Sequence, residues 1–171
     1  MAIEPISTTD LRAEVELPRV RPVTMADLDS IHALIEMASR ATTVLPRGRE
    51  ELCECLRDFI VAEQEQGRII GCAALSVFGP ALAEVRSLVV DPTFQGRGAG
   101  ARMIDELIRE AGRLGIRRLF ALTDNVPFFE CLGFKPTDKA TLPQKVWTEC
   151  IRCPKYLDCQ EEAVDLDLGS P

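Results

Sequence analysis

A glycine-rich loop is the part of this chain whose residue types and spacing indicate chemistry most directly. An apolar strand pattern ends at Asp91-Pro92, which continues neither a sheet ladder nor a helix, and Gly96, Gly98 and Gly100 follow. Glycine has no Cβ, so several backbone N–H groups of such a loop can point at one anion. The unpaired N–H groups of the helix that follows add partial positive charge. The pattern predicts a binding site for a pyrophosphate.

Two widespread phosphate-binding loops do not fit these residues. A Walker loop ends in Gly-Lys-Ser/Thr, whereas Gly100 is followed here by Ala101-Arg102. A dinucleotide-binding fold carries G-x-G-x-x-G near the start of its first βαβ unit, and the three glycines do not have that spacing. Neither type of nucleotide loop is therefore predicted.

Short strands and amphipathic helices alternate around the loop and must position it. The clearest helix covers residues 99–114, with Met103, Leu107 and Ala111 on one face and Gly115 as its stop. Further helices are expected at residues 24–38, 49–57 and 127–132, and strands at 20–22, 59–63, 68–77, 83–90, 117–123, 134–136 and 163–168. This order of elements predicts an α+β layer fold.

The composition predicts an ordinary globular domain, residues 19–171, preceded by a flexible tail, residues 1–18. The chain has 171 residues, of which 46% are hydrophobic and 27% charged, and the tail lacks the apolar segment of a secretory signal. No apolar run approaches the ~20 residues of a membrane span. A net charge of −7 argues against nucleic acid as a partner. Seven cysteines without an export signal favour a reducing cytoplasm over a disulfide framework.

Three of the cysteines have a spacing that can be compared with metal sites. Cys150, Cys153 and Cys159 form C-x2-C-x5-C and could supply three ligands. Zinc normally takes four, and the lone His32 lies far away on a predicted helix. Cys131 completes a set only if the fold brings it close. No metal is expected, and the alternative interpretation is that these are buried or unreactive thiols.

The glycine loop resembles the coenzyme A loop of the GNAT superfamily of N-acetyltransferases. The family pattern Q/R-x-x-G-x-G/A matches Gln95, Gly98 and Gly100. A second block, N followed by (Y/F)-x-x-x-G-F near the end of such domains, matches Asn125 and residues 128–134. The resemblance implies an α+β GNAT fold over residues 19–168, with a mixed central sheet of six to seven strands flanked by about four helices. It also implies acetyl-CoA as the cosubstrate.

The resemblance assigns roles along the bound cosubstrate. It places the acetyl carbonyl near the backbone of Leu88 and Val89, and pantetheine along Val90 like an added strand. The pyrophosphate would lie on the N–H groups of Gly96, Arg97, Gly98, Ala99, Gly100 and Ala101. Gln95 and Arg97 are side-chain candidates at the loop, although Arg97 can also be a solvated arginine. Asn125 and Phe129 complete the cofactor-binding set.

Two side chains are candidates for proton transfer. Glu84 precedes Gln95 by eleven positions, which resembles the placement of the general-base glutamate in several GNAT enzymes. Its alternative role is that of a polar strand residue or a partner for Arg86. Many members have a tyrosine, which protonates the leaving thiolate, where this chain has Phe129. Thr123 can donate a hydrogen bond to the sulfur instead, a water can act, or the thiolate can leave unaided.

Three further segments resemble one branch of the superfamily, the short amino-acid N-acetyltransferases of the N-acetylglutamate synthase type. They are residues 45–47 (LPR), 83–88 (AEVRSL) and 142–147 (LPQKVW), the last followed by the cysteines. This resemblance implies transfer of acetyl from acetyl-CoA to L-glutamate, the first step of arginine biosynthesis. A dicarboxylate acceptor requires cations, and the candidates are Arg47, Arg86 and Lys145. Each can also be a surface cation, because the chain has 20 lysines and arginines.

Other functions stay open at this point. The chain can be a GNAT enzyme for another small amine or a peptide, or a non-catalytic CoA-binding regulatory module, which the missing tyrosine would suit. Replacing Glu84 by glutamine separates these, since only an enzyme should lose turnover while still binding acetyl-CoA. Sheet pairing often builds dimers in this superfamily, so a homodimer is a further expectation.

Overall fold

A mixed seven-stranded sheet is the centre of the fold. The computed structural model describes residues 17–142, 150, 151, 153 and 156–169. Within them the strands are β1 (Arg19–Pro22), β2 (Phe59–Glu63), β3 (Ile69–Gly79), β4 (Leu82–Val90), β5 (Arg118–Thr123), β6 (Lys135–Thr137) and β7 (Glu162–Asp167). They are ordered β1-β2-β3-β4-β5-β7-β6. Every neighbouring pair is antiparallel except β4 and β5, which are parallel.

Four α-helices in the described part of the chain cover the two faces of the sheet. They are α1 (Leu28–Ser39), α2 (Arg49–Glu54), α3 (Ala99–Arg113) and α4 (Val126–Glu130). Residues of β2 alternate between the two cores, because successive strand side chains point to opposite faces. Phe59 and Val61 pack with α1, whereas Ile60 and Ala62 pack with α3. The sheet is therefore buried on both sides, and the predicted α+β architecture is confirmed.

The strand boundaries agree with the predicted ones within two residues and the helix boundaries within four. The helix predicted from residue 24 has a 3-10 turn, Met25–Asp27, before α1 begins at Leu28. The other difference is at the end of α2. This helix was expected to reach about Arg57, but it ends at Glu54 and is followed by a 3-10 turn, Leu56–Asp58. Cys55 leaves helical geometry at φ −107° and ψ 19°, and its thiol donates to the Glu51 carbonyl at 3.1 Å. The chain then turns directly into β2. No helix in the described residues is long and apolar enough to cross a membrane.

The parallel pair β4 and β5 opens a gap in the sheet. Leu82, Ala83 and Glu84 pair with Arg118, Leu119 and Phe120, and beyond these residues the two described strands separate. The second half of β4, residues 85–90, is therefore left with an edge that faces a cleft. The glycine loop and the start of α3 lie directly after this open half of the strand.

Candidate active site

Side-chain hydrogen bonds fold the chain back at the end of β4. The Asp91 carboxylate accepts from the Thr93 N–H at 2.9 Å and from its hydroxyl at 2.7 Å, and these bonds lower the pKa of Asp91. Gln95 donates from Nε2 to the Val90 carbonyl at 3.1 Å. Asp91 and Gln95 thus fix both ends of the turn from which the glycine loop departs. The Arg97 guanidinium lies over the Phe94 ring, 5.3 Å from its centroid.

The three glycines of the loop differ in backbone conformation and surroundings. Gly96 and Gly98 have φ of +73° and +83°, a backbone conformation that L side chains rarely adopt. Gly100 lies inside α3, where an added Cβ would come within 3.2 Å of Phe128 Cζ. Gly100 therefore belongs to the predicted helix, and the absence of a Cβ there allows α3 to pack closely on α4.

The start of α3 fits an anionic group. The Arg102 N–H donates to the Gly98 carbonyl at 3.0 Å, which closes the first helical turn. The N–H groups of residues 99–101 precede that bond and point out of the helix end. Together with the Cβ-free positions 96 and 98, they form a concave set of donors. This geometry fits the pyrophosphate of coenzyme A.

A β-bulge interrupts β4 where the acetyl group is expected. Cys72 pairs with Val89 and Ala74 pairs with Arg86, so two residues of β4 lie opposite one residue of β3. Ser87, the first of these two, has φ +49°. A non-glycine residue in this region costs about 1–2 kcal/mol. The bulge turns the backbone around Leu88 away from the regular ladder.

Beside the open strand lies a cleft of about 580 Å³. Its lining includes the predicted acid–base residues, Glu84 and Thr123, and two of the predicted acceptor residues, Arg47 and Arg86. Glu84 is 7% exposed. Glu84 forms an ion pair with Arg86, which is the partner that the alternative interpretation gave it, and the two side chains share one face as their strand parity predicted. The Arg86 guanidinium also lies over the Phe78 ring, 5.0 Å from its centroid. The carboxylate is thus held at the cleft by a guanidinium that is itself fixed by an aromatic ring.

Arg47 reaches the same cleft from the loop before α2. Its Nε donates to the Ser87 hydroxyl at 3.1 Å, and its Nη1 forms an ion pair with Glu51. Burial raises the pKa of the Asp58 carboxyl, and the positive charges of Arg86 and Arg47 oppose this rise. Both arginines line the same cleft. Lys145, the third predicted acceptor residue, lies outside the described residues.

The opposite wall carries the residues expected near the thiol. Thr123 is 8% exposed at the end of β5, and its hydroxyl accepts from the Asn125 N–H at 3.0 Å. Asn125 caps α4 by accepting from the Phe128 N–H at 3.3 Å. Phe129 is 4% exposed and packs edge-on against Phe128 and Phe134, with centroids 5.2 Å apart in each pair. Thr123, Asn125 and Phe129 all line the cleft.

The three C-terminal cysteines lie on the cleft wall. Cys150, Cys153 and Cys159 line it together with Glu161. Burial raises the pKa of the Cys150 thiol, and the nearby Glu84 carboxylate raises it further. The described residues contain no group of three or more His, Cys, Asp or Glu side chains arranged to hold a metal ion.

Sequence reasoning missed two residues of this site. Ser87 could not be recognised from the sequence, because a serine in a strand does not indicate a positive φ. Glu51 is read as an ordinary helix residue, and its link to Arg47 is visible only as an i, i+4 charge pair.

Comparisons with known proteins agree with this geometry. Residues 28–134 match the model of the acetyltransferase (GNAT) family. The chain therefore belongs to this family, and it is an N-acetyltransferase that uses acetyl-CoA.

Among its relatives is an uncharacterized N-acetyltransferase of Chlorobaculum tepidum, 35% identical over 85% of this chain and 93% of that protein. An amino-acid acetyltransferase of Mycobacterium tuberculosis is 31% identical over 90% of this chain and 88% of its own length. The solved N-acetylglutamate synthase of Neisseria gonorrhoeae, complexed with coenzyme A and N-acetyl-glutamate, superposes with a TM-score of 0.79 at 28% identity. That match covers 88% of this chain but 35% of the synthase chain.

Proposed function

We propose that this protein acetylates the α-amine of L-glutamate, giving N-acetylglutamate and CoA as the first step of arginine biosynthesis in the cytoplasm. The observation that carries the proposal is the composition of the cleft. A buried carboxylate, Glu84, lies beside two guanidinium groups, Arg47 and Arg86. Among the relatives, the name amino-acid acetyltransferase and the N-acetyl-glutamate complex of the synthase support the same acceptor class.

The proposed chemistry assigns each step to a named group. Glu84 accepts a proton from the acceptor ammonium, directly or through a water, and frees the amine to attack the thioester carbonyl. The backbone N–H groups of Leu88 and Val89, at the bulge, donate to the developing oxyanion. Phe129 has no acidic proton, so the departing thiolate receives a hydrogen bond from Thr123 or a proton from water.

The acceptor is argued from charge. L-Glutamate has two carboxylates beside its amine, and planar guanidinium groups bind carboxylates through two parallel N–H bonds. Arg47 and Arg86 line the same cleft as Glu84, where such an acceptor would bind. The same positive charges would repel a polyamine. Lys145 stays a candidate for a third contact.

The test begins with acetyl-CoA and each of the twenty amino acids, with the acetylated product identified by mass spectrometry. A thiol-sensitive dye is unsuitable, because the seven cysteines would react with it. N-Acetylglutamate as the main product supports the proposal. If no amino acid is acetylated while acetyl-CoA still binds, the glutamate assignment is wrong, and peptides, other amines or a binding role remain.

The proposed base is tested by Glu84→Gln, which keeps the shape of the side chain. Loss of a general base lowers kcat by roughly 100- to 10,000-fold, whereas acetyl-CoA affinity should stay within about twofold. Glu36→Gln is a matched control, because Glu36 is an exposed carboxylate on α1 whose ion pair within the described residues is with Arg40, four positions away. Unchanged turnover in Glu84→Gln would assign the base to another group.

A further inference from the structure

Ser87 has a strained backbone conformation and is held by hydrogen bonds to two other parts of the chain. Within the described residues, Ser87 and Gln66 are the non-glycine residues with positive φ, and Gln66 belongs to a turn between β2 and β3. Ser87 instead lies in the middle of β4, where regular strand geometry would be available to it. Such an outlier persists only where surrounding contacts impose it.

Two hydrogen bonds hold Ser87 in this conformation. The Ser87 carbonyl accepts from the Cys72 thiol at 3.7 Å, and its hydroxyl accepts from Arg47 Nε at 3.1 Å. Cys72 is fully buried, and burial raises the pKa of its thiol to about 12, so it keeps the proton that it donates. One anchor therefore comes from the neighbouring strand and the other from the loop that lines the acceptor region.

We propose that Ser87 is a positioning residue that couples acceptor binding to acetyl transfer, an inference that rests on the proposed function. Its backbone sets the bulge that orients the N–H groups of Leu88 and Val89. Its hydroxyl sets the orientation of Arg47. One residue thus aligns the oxyanion donors with the cation that binds the acceptor carboxylate.

The geometry of Arg47 explains why one hydrogen bond can matter. A guanidinium is planar and carries five N–H donors. Ser87 takes the Nε edge and Glu51 takes Nη1, so the plane is fixed by two partners and further donors of the same group remain for a ligand. Loss of the Ser87 hydroxyl leaves Glu51 as the remaining anchor, and the guanidinium gains rotational freedom around it.

Two substitutions separate the hydroxyl from the backbone. Ser87→Gly removes the hydroxyl but adopts φ +49° without strain, so the bulge is retained. Ser87→Ala removes the same hydroxyl and keeps the strain, which favours relaxation of the bulge. We expect Ser87→Gly to raise KM for glutamate roughly tenfold, as for loss of a hydrogen bond to a charged group, with kcat and KM for acetyl-CoA within about twofold. Ser87→Ala should lower kcat as well.

A double-mutant cycle with Arg47→Lys provides the second readout. If Ser87 acts through Arg47, Ser87→Gly should add nothing further to the glutamate KM once Arg47 is replaced. Urea midpoints of all variants and CoA affinity by calorimetry report whether the fold and cofactor site are intact. A role in stability alone would lower the midpoint without the KM effect.

The outcomes separate the two proposals. A wild-type protein that forms no N-acetylglutamate contradicts the proposed function, and the same variants are then compared on the acceptor that it does use. A wild type that acetylates glutamate, with Ser87→Gly unchanged in KM or additive with Arg47→Lys, overturns the coupling role and leaves the function standing.

Discussion

Gly98 is where backbone conformation and cofactor binding should be most tightly linked. It has φ +83° and precedes α3, whose first helical turn closes on its carbonyl. An alanine in this conformation costs about 1–2 kcal/mol. Its Cβ would lie 3.4 Å from Leu17 Cδ2, an ordinary contact, so the cost comes from the backbone and not from a collision.

The conformational strain in Gly98→Ala should lower either the free energy of unfolding or the affinity for CoA. If the loop keeps its shape, the free energy of unfolding falls and CoA affinity is unchanged. If the loop relaxes, stability is spared, but binding must restore the strained shape, and Kd rises by up to roughly 5- to 30-fold. The sum of the two losses should therefore be about 1–2 kcal/mol in either case.

Urea unfolding followed by circular dichroism and calorimetric titration with CoA measure the two losses. Gly112→Ala is the matched control, because Gly112 lies in α3 with ordinary helical φ and open space at its Cβ position. Alanine there should stabilise the protein by about 0.5–1 kcal/mol and leave Kd unchanged. It also corrects for the entropy that alanine removes from the unfolded chain. If Gly98→Ala matches Gly112→Ala in both quantities, the reasoning about the loop is refuted.

Two further predictions concern ionisable groups. The Asp27 carboxylate accepts from both terminal nitrogens of Arg21, at 2.8 and 2.9 Å, and this pairing lowers its pKa from 3.8 to about 2. The shift corresponds to up to about 2 kcal/mol of stability, present above pH 4 and lost as the pH falls through about 2. Urea midpoints between pH 7 and pH 2 should therefore drop in this window and drop less in Asp27→Asn, and equal slopes would contradict the pairing. Burial raises the pKa of Cys72 to about 12, so iodoacetamide at pH 8 should modify the exposed Cys53, Cys131 and Cys159 in the native protein and spare Cys72. Peptide mapping by mass spectrometry checks this, and early labelling of Cys72 would show that its strand opens.

Local patterns were sufficient to predict most elements of the fold. Helix α3 has a glycine before it, a glycine after it and an apolar stripe in between, so each signal agrees with the others. The prediction for α2 overshot because its end depends on Cys55, whose thiol bonds to a carbonyl of the preceding turn. Period-two alternation was enough to place Glu84 and Arg86 on one face, where they form an ion pair.

The contacts that complete the site depend on tertiary structure. Arg47 and Ser87 are separated by 40 positions, and no local pattern links an arginine in a loop to a serine in a strand. The sequence also gives no local signal for the β-bulge at Ser87, because positive φ is normally indicated by glycine or asparagine. The close approach of Phe128 to Gly100 is likewise a contact between two helices that no local pattern marks.

Because position 129 is a phenylalanine, it cannot supply a proton to the leaving thiolate. Its ring packs edge-on against Phe128 and Phe134, and it has no hydroxyl with which to protonate the leaving sulfur. The Thr123 hydroxyl is a far weaker acid than a thiol, and it can stabilise a thiolate by a hydrogen bond but will not transfer its proton. A thiolate is a tolerable leaving group, whereas an ammonium cannot attack at all. In the proposed reaction the step that needs help from a side chain is therefore deprotonation of the amine. Glu84 is the proposed base for that step, a buried carboxylate paired with Arg86 where the pairing of β4 and β5 ends.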